Sequence, residues 1–193
     1  MNLNKNFLSL DKFIHQALYS PKTGFYMKKN PLGDKGDFIT SPIVSILFSE
    51  MLSIWTVSFW KNLKCPKNIN LIELGAGNGQ MMYDMINSFR NFPKFNKSCK
   101  FYILETSPYL KKIQKEKLKK FNVTWIKNLN ELKKNYNIFI ANEFFDALPI
   151  KQFFKNNKKW MERFVVLQKN NKNKFIDFNC NIKKIEKKIG FKI

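Results

Sequence analysis

A short apolar run, Ile69-Asn-Leu-Ile-Glu-Leu74, carries Glu73 into the glycine segment Gly75-Ala-Gly-Asn-Gly79, and a second run, Phe101-Tyr-Ile-Leu104, ends on Glu105. Gly75, Gly77 and Gly79 let the backbone turn tightly and approach a ligand more closely than any side chain would allow. A carboxylate closing the next strand can accept hydrogen bonds from both hydroxyls of a ribose, so the combination implies an adenosine-containing cofactor. The dinucleotide fingerprint G-x-G-x-x-G is not met, because Gln80 follows Gly79 where the spaced third glycine would have to come. A phosphate-binding P-loop is excluded, since no Gly-Lys-Ser/Thr follows the glycines. An acid ahead of the loop repels phosphate and favours an amino group, which S-adenosyl-L-methionine carries. The alternatives are bland: a glycine turn after a strand occurs in many α/β domains, and Glu105 could be a solvated strand end.

These residues need a scaffold, and the flanking pattern supplies one. Gln80 to Phe89 has helical spacing through Met81, Met82, Met85 and Ile86, and Ser107-Pro108 opens a charged helix running through Lys120. Val123-Thr-Trp-Ile126 and Ile138-Phe-Ile-Ala141 are further strand candidates, the latter ending in Asn142-Glu-Phe-Phe-Asp146. Strands alternating with helices imply α/β architecture with a Rossmann-like, doubly wound parallel sheet, whose ligand lies beyond the carboxyl ends of its strands. Glu73, Glu105 and the trio Asn142, Glu143 and Asp146 all fall at such ends. After Pro149 the pattern changes to Gln152–Phe154, Met161–Leu167 and Phe175–Phe178 with Asn/Lys turns between them, which predicts antiparallel strands.

Toward the N-terminus, Ser9 is placed to cap a helix through Leu10, Phe13, Ile14, Ala17 and Leu18, with His15 on its polar side as a surface residue. Residues 22–42, broken by Gly24, Pro31, Gly33 and Gly36, predict a long ordered loop, and Pro42 opens an apolar helix. Ile43 to Trp60 reads as a buried helix rather than a membrane span, because Glu50 sits mid-span and Ser45, Ser49, Ser53 and Ser58 recur along it.

Composition bounds the rest. The 193 residues are 44% hydrophobic and include 20 Phe, enough for a sizeable core and against a disordered chain. Three cysteines with no CxxC pair support neither a disulfide framework nor a zinc site, and no metal is expected. The 35 Lys+Arg against 14 Asp+Glu give a formal net charge of +21, yet only Arg90 and Arg163 are arginine and the excess grows toward the C-terminus. Nucleic acid is therefore disfavoured as a partner, because the guanidinium fork is the side chain suited to phosphate and base recognition. The N-terminal stretch carries no targeting signal, so the expected location is the cytoplasm of a bacterial-like cell, or the mitochondrial matrix of a eukaryote.

Several stretches together resemble the MidA family of class I S-adenosylmethionine-dependent methyltransferases, which includes mitochondrial complex I assembly-factor protein arginine methyltransferases. They are Ala17-Leu-Tyr-Ser-Pro-Lys-Thr-Gly-Phe-Tyr26, Gly36-Asp-Phe-Ile-Thr-Ser-Pro42, Leu71–Gly79, Glu105-Thr-Ser-Pro108 with Gln114, Trp125, and Asn142-Glu-Phe-Phe-Asp-Ala-Leu-Pro-Ile150. The resemblance implies that Glu73, Gly75, Gly77 and Gly79 hold the methionine end of S-adenosyl-L-methionine and Glu105 the ribose, with Trp125 also on the cofactor. It implies that Gly36, Asp37, Thr40 and Ser41 fold over it, and that Asn142, Glu143 and Asp146 face a methyl acceptor, an arginine side chain of a protein such as a complex I subunit. One methyltransferase domain is expected, with N-terminal helices and the covering loop at 1–62, the cofactor core at 63–150 and a partial antiparallel region at 151–193. Family members continue well beyond that point, so the resemblance implies a chain shortened at its C-terminus. A partner chain or self-association would then complete the fold, and a non-catalytic assembly module is the alternative to an enzyme.

Overall fold

Each strand of the central sheet is only four to six residues long, and its order along the chain decides which side chains meet at its carboxyl edge. The computed structural model describes residues 7–28, 41–168 and 172–193. In chain order the elements are β1 (Phe7–Ser9), α1 (Leu10–Tyr19), α2 (Phe25–Lys28), α3 (Ser41–Val44), α4 (Ile46–Asn62), β2 (Ile69–Leu74), α5 (Gln80–Phe89), α6 (Pro93–Ser98), β3 (Cys99–Leu104), α7 (Pro108–Lys117), β4 (Val123–Ile126), β5 (Tyr136–Ile140), β6 (Phe153–Asn156), β7 (Lys159–Val166), β8 (Lys174–Asn179) and α8 (Ile182–Ile189). They form two compact units, one from residues 21–147 and one from 1–20 together with 148–193. The N-terminal strand and helix thus belong with the C-terminal strands.

In the unit 21–147 the strand order is β4-β3-β2-β5, all parallel, as the βαβ pattern predicts. Side chains alternate across it with period two. Ile69 and Leu71 of β2 join Phe101 and Ile103 of β3 in a core with Met81, Met85 and Phe89 of α5, whereas Ile72 and Leu74 pack with Ile126 on the other face. Phe95 of α6, fully buried against Phe89 and Trp60, closes the first core. At the amino ends, buried Asn70 Nδ2 donates to Asn137 Oδ1 at 2.8 Å and pins β2 to β5.

The helix at 46–62 differs from the fully buried helix its composition predicts. Pro42 lies in the separate turn α3, and Ser45 breaks the run, its Oγ accepting the Leu47 N–H at 3.2 Å as the cap of α4. The face of α4 turned inward, where the helix packs on α5, is built from Ser49, Ser53, Thr56, Val57 and Trp60. Several of its large apolar residues point out, with Leu47 64% exposed, Met51 64% and Trp55 52%, whereas Phe48 and Leu52 pack against the core. The small hydroxyl residues permit close approach; Ser53 Oγ donates to Ser49 O and Thr56 Oγ1 to Leu52 O, both at 2.7 Å, while the buried Ser49 Oγ has no partner among the described residues. No helix among the described residues is long and apolar enough to cross a membrane.

In the other unit β7 carries three partners, all antiparallel: β6 along Lys159–Glu162, β1 along Phe164–Val166, and β8 on its other side along Met161–Val166. Arg163 donates from Nε to Asp177 Oδ1 at 3.2 Å, with its guanidinium 5.1 Å from the rings of Phe154 and Phe175. Ser9 occupies the cap position of α1, but its side chain makes no cap hydrogen bond. His15 is exposed, as its place on the polar side predicts.

Enlarging a small residue on the inward face of α4 should cost more than altering its outward face. Ser53→Leu should lower the urea midpoint by the equivalent of about 1–3 kcal/mol through overpacking, whereas Leu47→Gln should change stability by less than about 0.5 kcal/mol. Equal losses in both variants would contradict this packing.

Candidate functional site

The glycine segment joins β2 to α5 through three left-handed residues, with φ of 69° at Gly75, 53° at Gly77 and 80° at Gly79. At Gly75 a Cβ would lie 2.7 Å from Phe144 Cδ2, so a side chain there is excluded by geometry as well as by backbone conformation. Phe144 was not among the residues expected to matter. Its ring ties the segment after β5 to the glycine loop. Gly79 sits at the cap position of α5 and offers no side chain, so other groups receive the first N–H donors of the helix. Asn78 Oδ1 accepts from Gln80 N at 3.0 Å, and the Glu73 carboxyl accepts from Met82 N.

Glu73 is only 4% exposed, and its Oε2 has no hydrogen-bond partner among the described residues. Burial, reinforced by the negative charge of Glu105, pushes its carboxyl up to about 8, against the opposing pull of the Met82 N–H. Glu105 lies one residue past β3. Ser107 N donates to its Oε1 at 2.8 Å and Gln114 Nε2 to its Oε2 at 2.9 Å. Burial raises this carboxyl too, and those donors, with the Thr106 N–H and Lys111, draw it back. A carboxylate offers about four lone-pair sites. Glu105 thus keeps acceptor capacity beyond its three donors, the Thr106 and Ser107 N–H groups and the Gln114 amide. An unpartnered carboxyl oxygen on one strand and an acid on the next match the amino group and ribose hydroxyls of S-adenosylmethionine, and the residues present fit that molecule.

Trp125, expected on the cofactor, lies on β4. Its indole N–H is already engaged, donating to Gln114 Oε1 at 2.9 Å, so only its ring is available to a ligand. Ser107 Oγ accepts from Leu110 N and donates to the Tyr26 carbonyl at 2.6 Å, which fastens α2 to the start of α7. Tyr26 is thereby brought near the segment after β5, where burial together with the charges of Asp146 and Glu143 raises its phenol above the ordinary range. Glu143 and Asp146 are exposed and Asn142 is half-buried; Glu143 adopts a left-handed φ of 48°. The signal that could have found Tyr26 is its place at the end of the stretch 17–26.

Of the expected covering residues, Ser41 is the exposed first residue of α3, while Gly36, Asp37 and Thr40 lie outside the described residues. Gln80, at the position that argued against a dinucleotide fingerprint, links helices: Lys117 Nζ donates to its Oε1 at 2.6 Å and its Nε2 donates to both oxygens of buried Asp84.

The raised Glu73 carboxyl has a thermodynamic signature. Between its unfolded value near 4.5 and its folded value near 8 the folded chain holds a proton that the unfolded chain has released, so stability is fully present below the first value and is lost as pH rises through the second. Glu73→Gln should abolish that slope and stabilise the ligand-free protein at pH 8 by on the order of a few kcal/mol, read as Tm against pH; identical slopes in both proteins would refute it.

Comparison with known proteins accords with this arrangement. A family model described as "Putative S-adenosyl-L-methionine-dependent methyltransferase" matches residues 51–189. The chain is 33% identical over 179 residues to the mitochondrial protein arginine methyltransferase NDUFAF7 of Xenopus tropicalis, covering 80% of this chain and 42% of that protein. To its Homo sapiens counterpart it is 31% identical over 182 residues, covering 82% and 41%. The chain thus spans about two fifths of the length of these curated relatives. Its fold is shared with a COG1565 superfamily member from Burkholderia thailandensis, solved bound to S-adenosyl-homocysteine, at a TM-score of 0.77 and 21% identity over 96% of this chain and 49% of that one. With the family model spanning strands β2 to β8, the chain belongs to the MidA family of S-adenosyl-L-methionine-dependent methyltransferases.

Proposed function

We propose that the chain binds S-adenosyl-L-methionine between the carboxyl ends of β2 and β3 and serves in methylation of a protein arginine. The observation that carries this reading is the orphaned, buried Oε2 of Glu73 beside Glu105. A cationic amino group supplies the missing partner and favours the ionised Glu73, whose proton is released to solvent, and hydroxyls of a ribose supply donors to Glu105. Bound there, S-adenosylmethionine supplies a methyl group made electrophilic by the adjoining sulfonium.

The chain's own residues hold and orient. Gly75 leaves room for the Phe144 ring, which braces the loop from the segment after β5, and Tyr26, Glu143 and Asp146 gather on the acceptor side. Two exposed carboxylates near a phenol suit a guanidinium, which carboxylates can bind in a bidentate, in-plane fashion that fixes which nitrogen is presented. The names of the mitochondrial relatives support arginine as the acceptor, and the family resemblance supports a subunit of respiratory complex I as the protein that carries it.

Calorimetric titration of the purified chain with S-adenosylhomocysteine should show one site per chain, and Glu105→Ala should weaken it by about tenfold to a hundredfold, the worth of hydrogen bonds to a charged group. Absence of heat in the wild type sinks the cofactor assignment. Glu143→Ala and Asp146→Ala should keep S-adenosylhomocysteine affinity within about threefold while lowering methyl transfer to an arginine-bearing protein by about a hundredfold or more, the scale of lost substrate positioning. Transfer at the wild-type rate in both variants removes the two carboxylates from the acceptor site.

A further inference from the structure

Gln114 is a polar residue in the middle of a helix rich in lysine, and it is completely buried, at 0% exposure. Every hydrogen-bonding group of its amide that the surroundings can use is engaged. Nε2 donates to the Gly77 carbonyl at 2.9 Å and to Glu105 Oε2 at 2.9 Å, and Oε1 accepts from Trp125 Nε1 at 2.9 Å. The orientation of the amide is not interchangeable. An indole N–H can only donate and so faces the amide oxygen; a backbone carbonyl and a carboxylate accept, and so face the NH2 group.

We infer that Gln114 is a positioning residue that sets the ribose selectivity of this site by acting through Glu105. The inference rests on the cofactor reading above and goes beyond it. With Ser107 N on Oε1 and Gln114 on Oε2, the Glu105 carboxyl is held at both oxygens, so its plane is set before a ligand arrives and its remaining lone pairs have fixed directions. The second N–H of the same amide holds Gly77 O, so the glycine loop and the ribose acceptor are registered against each other by one group. Packing agrees: a Cβ on Gly79 would meet Gln114 Cγ at 3.4 Å with φ at +80°, so helix α5 begins directly against this side chain. Only an amide of this length serves. A glutamate at 114 would set a carboxylate against Gly77 O and the Glu105 carboxylate, two acceptors facing a third, and a methionine would leave Glu105 Oε2, Gly77 O and the Trp125 N–H without partners.

The test compares S-adenosylhomocysteine with its 2′,3′-dideoxy analogue by calorimetry on the full chain. The wild type should prefer the intact ribose by about tenfold or more. In Gln114→Met, which keeps the volume, the preference should fall at least threefold, and Gln114→Met combined with Glu105→Ala should show the same preference as Glu105→Ala alone. Trp125→Phe, which frees the amide to turn while keeping a ring, should lower the same preference by a smaller factor and stands in if Gln114→Met fails to fold. A Gln114→Met protein whose affinity for both ligands falls equally, leaving the preference intact, overturns the inference and spares the cofactor reading. A wild type that binds neither ligand overturns both.

Discussion

Two carboxyl groups, Glu73 and Glu105, are withdrawn from water at the ends of neighbouring parallel strands with fewer donors than their oxygens could accept. Removing an acid from water is costly unless it is neutralised or hydrogen-bonded, and two acids in mutual range raise that cost. The surroundings supply a partial answer: a helix N–H for one oxygen of Glu73, and a backbone N–H with a buried amide for Glu105. The rest of the answer is the proton that Glu73 keeps near neutrality. The left-handed glycines, the Ser107 turn and the buried Gln114 all follow from the need to hold this pair in place without paying the full penalty of two free charges.

Much of this arrangement is legible in the sequence because it is local. Ile69–Leu74 and Gln80–Phe89 coincide with the expected strand and helix to the residue, since a run of buried apolar residues meets a glycine turn and then a spacing of 3.6. Strand β4 also matches its expected bounds, and β3 begins two residues early. Helix α6 escapes pattern reading because only Phe95 of its six residues is buried, so it has no periodicity to detect. Helix α8 carries its signals in plain view, Asn181 accepting from Lys184 N and Gly190 in a left-handed end, but a lysine-rich ending masks them.

What local pattern cannot deliver is direction and distance. The hydropathy of residues 46–62 predicts burial, yet the small hydroxyl residues take the inward face and Leu47, Met51 and Trp55 the outward one. Composition is blind to which side of a cylinder touches its neighbour. Nor does a glutamine among lysines announce that it will face Gly77, Glu105 and Trp125 at once. Those partners are 37, 9 and 11 residues away, and only the fold brings them together. Tyr26 and Phe144 are hidden for the same reason, each acting through a neighbour that the chain reaches by a long detour.

Strand β7 has a further consequence, one for the order of events during synthesis. The four parallel strands at Ile69–Ile140 all lie within about 70 residues of one another, so their sheet can close as soon as its last strand, β5, is translated. Phe7–Ser9, by contrast, is made long before its partner at Phe164–Val166. Until then this strand has an open edge, the kind of surface that chaperones cover and aggregates recruit. Because β7 also serves β6 and β8, β1 and β6 can join it once Val166 is made, and the sheet is complete only after Asn179.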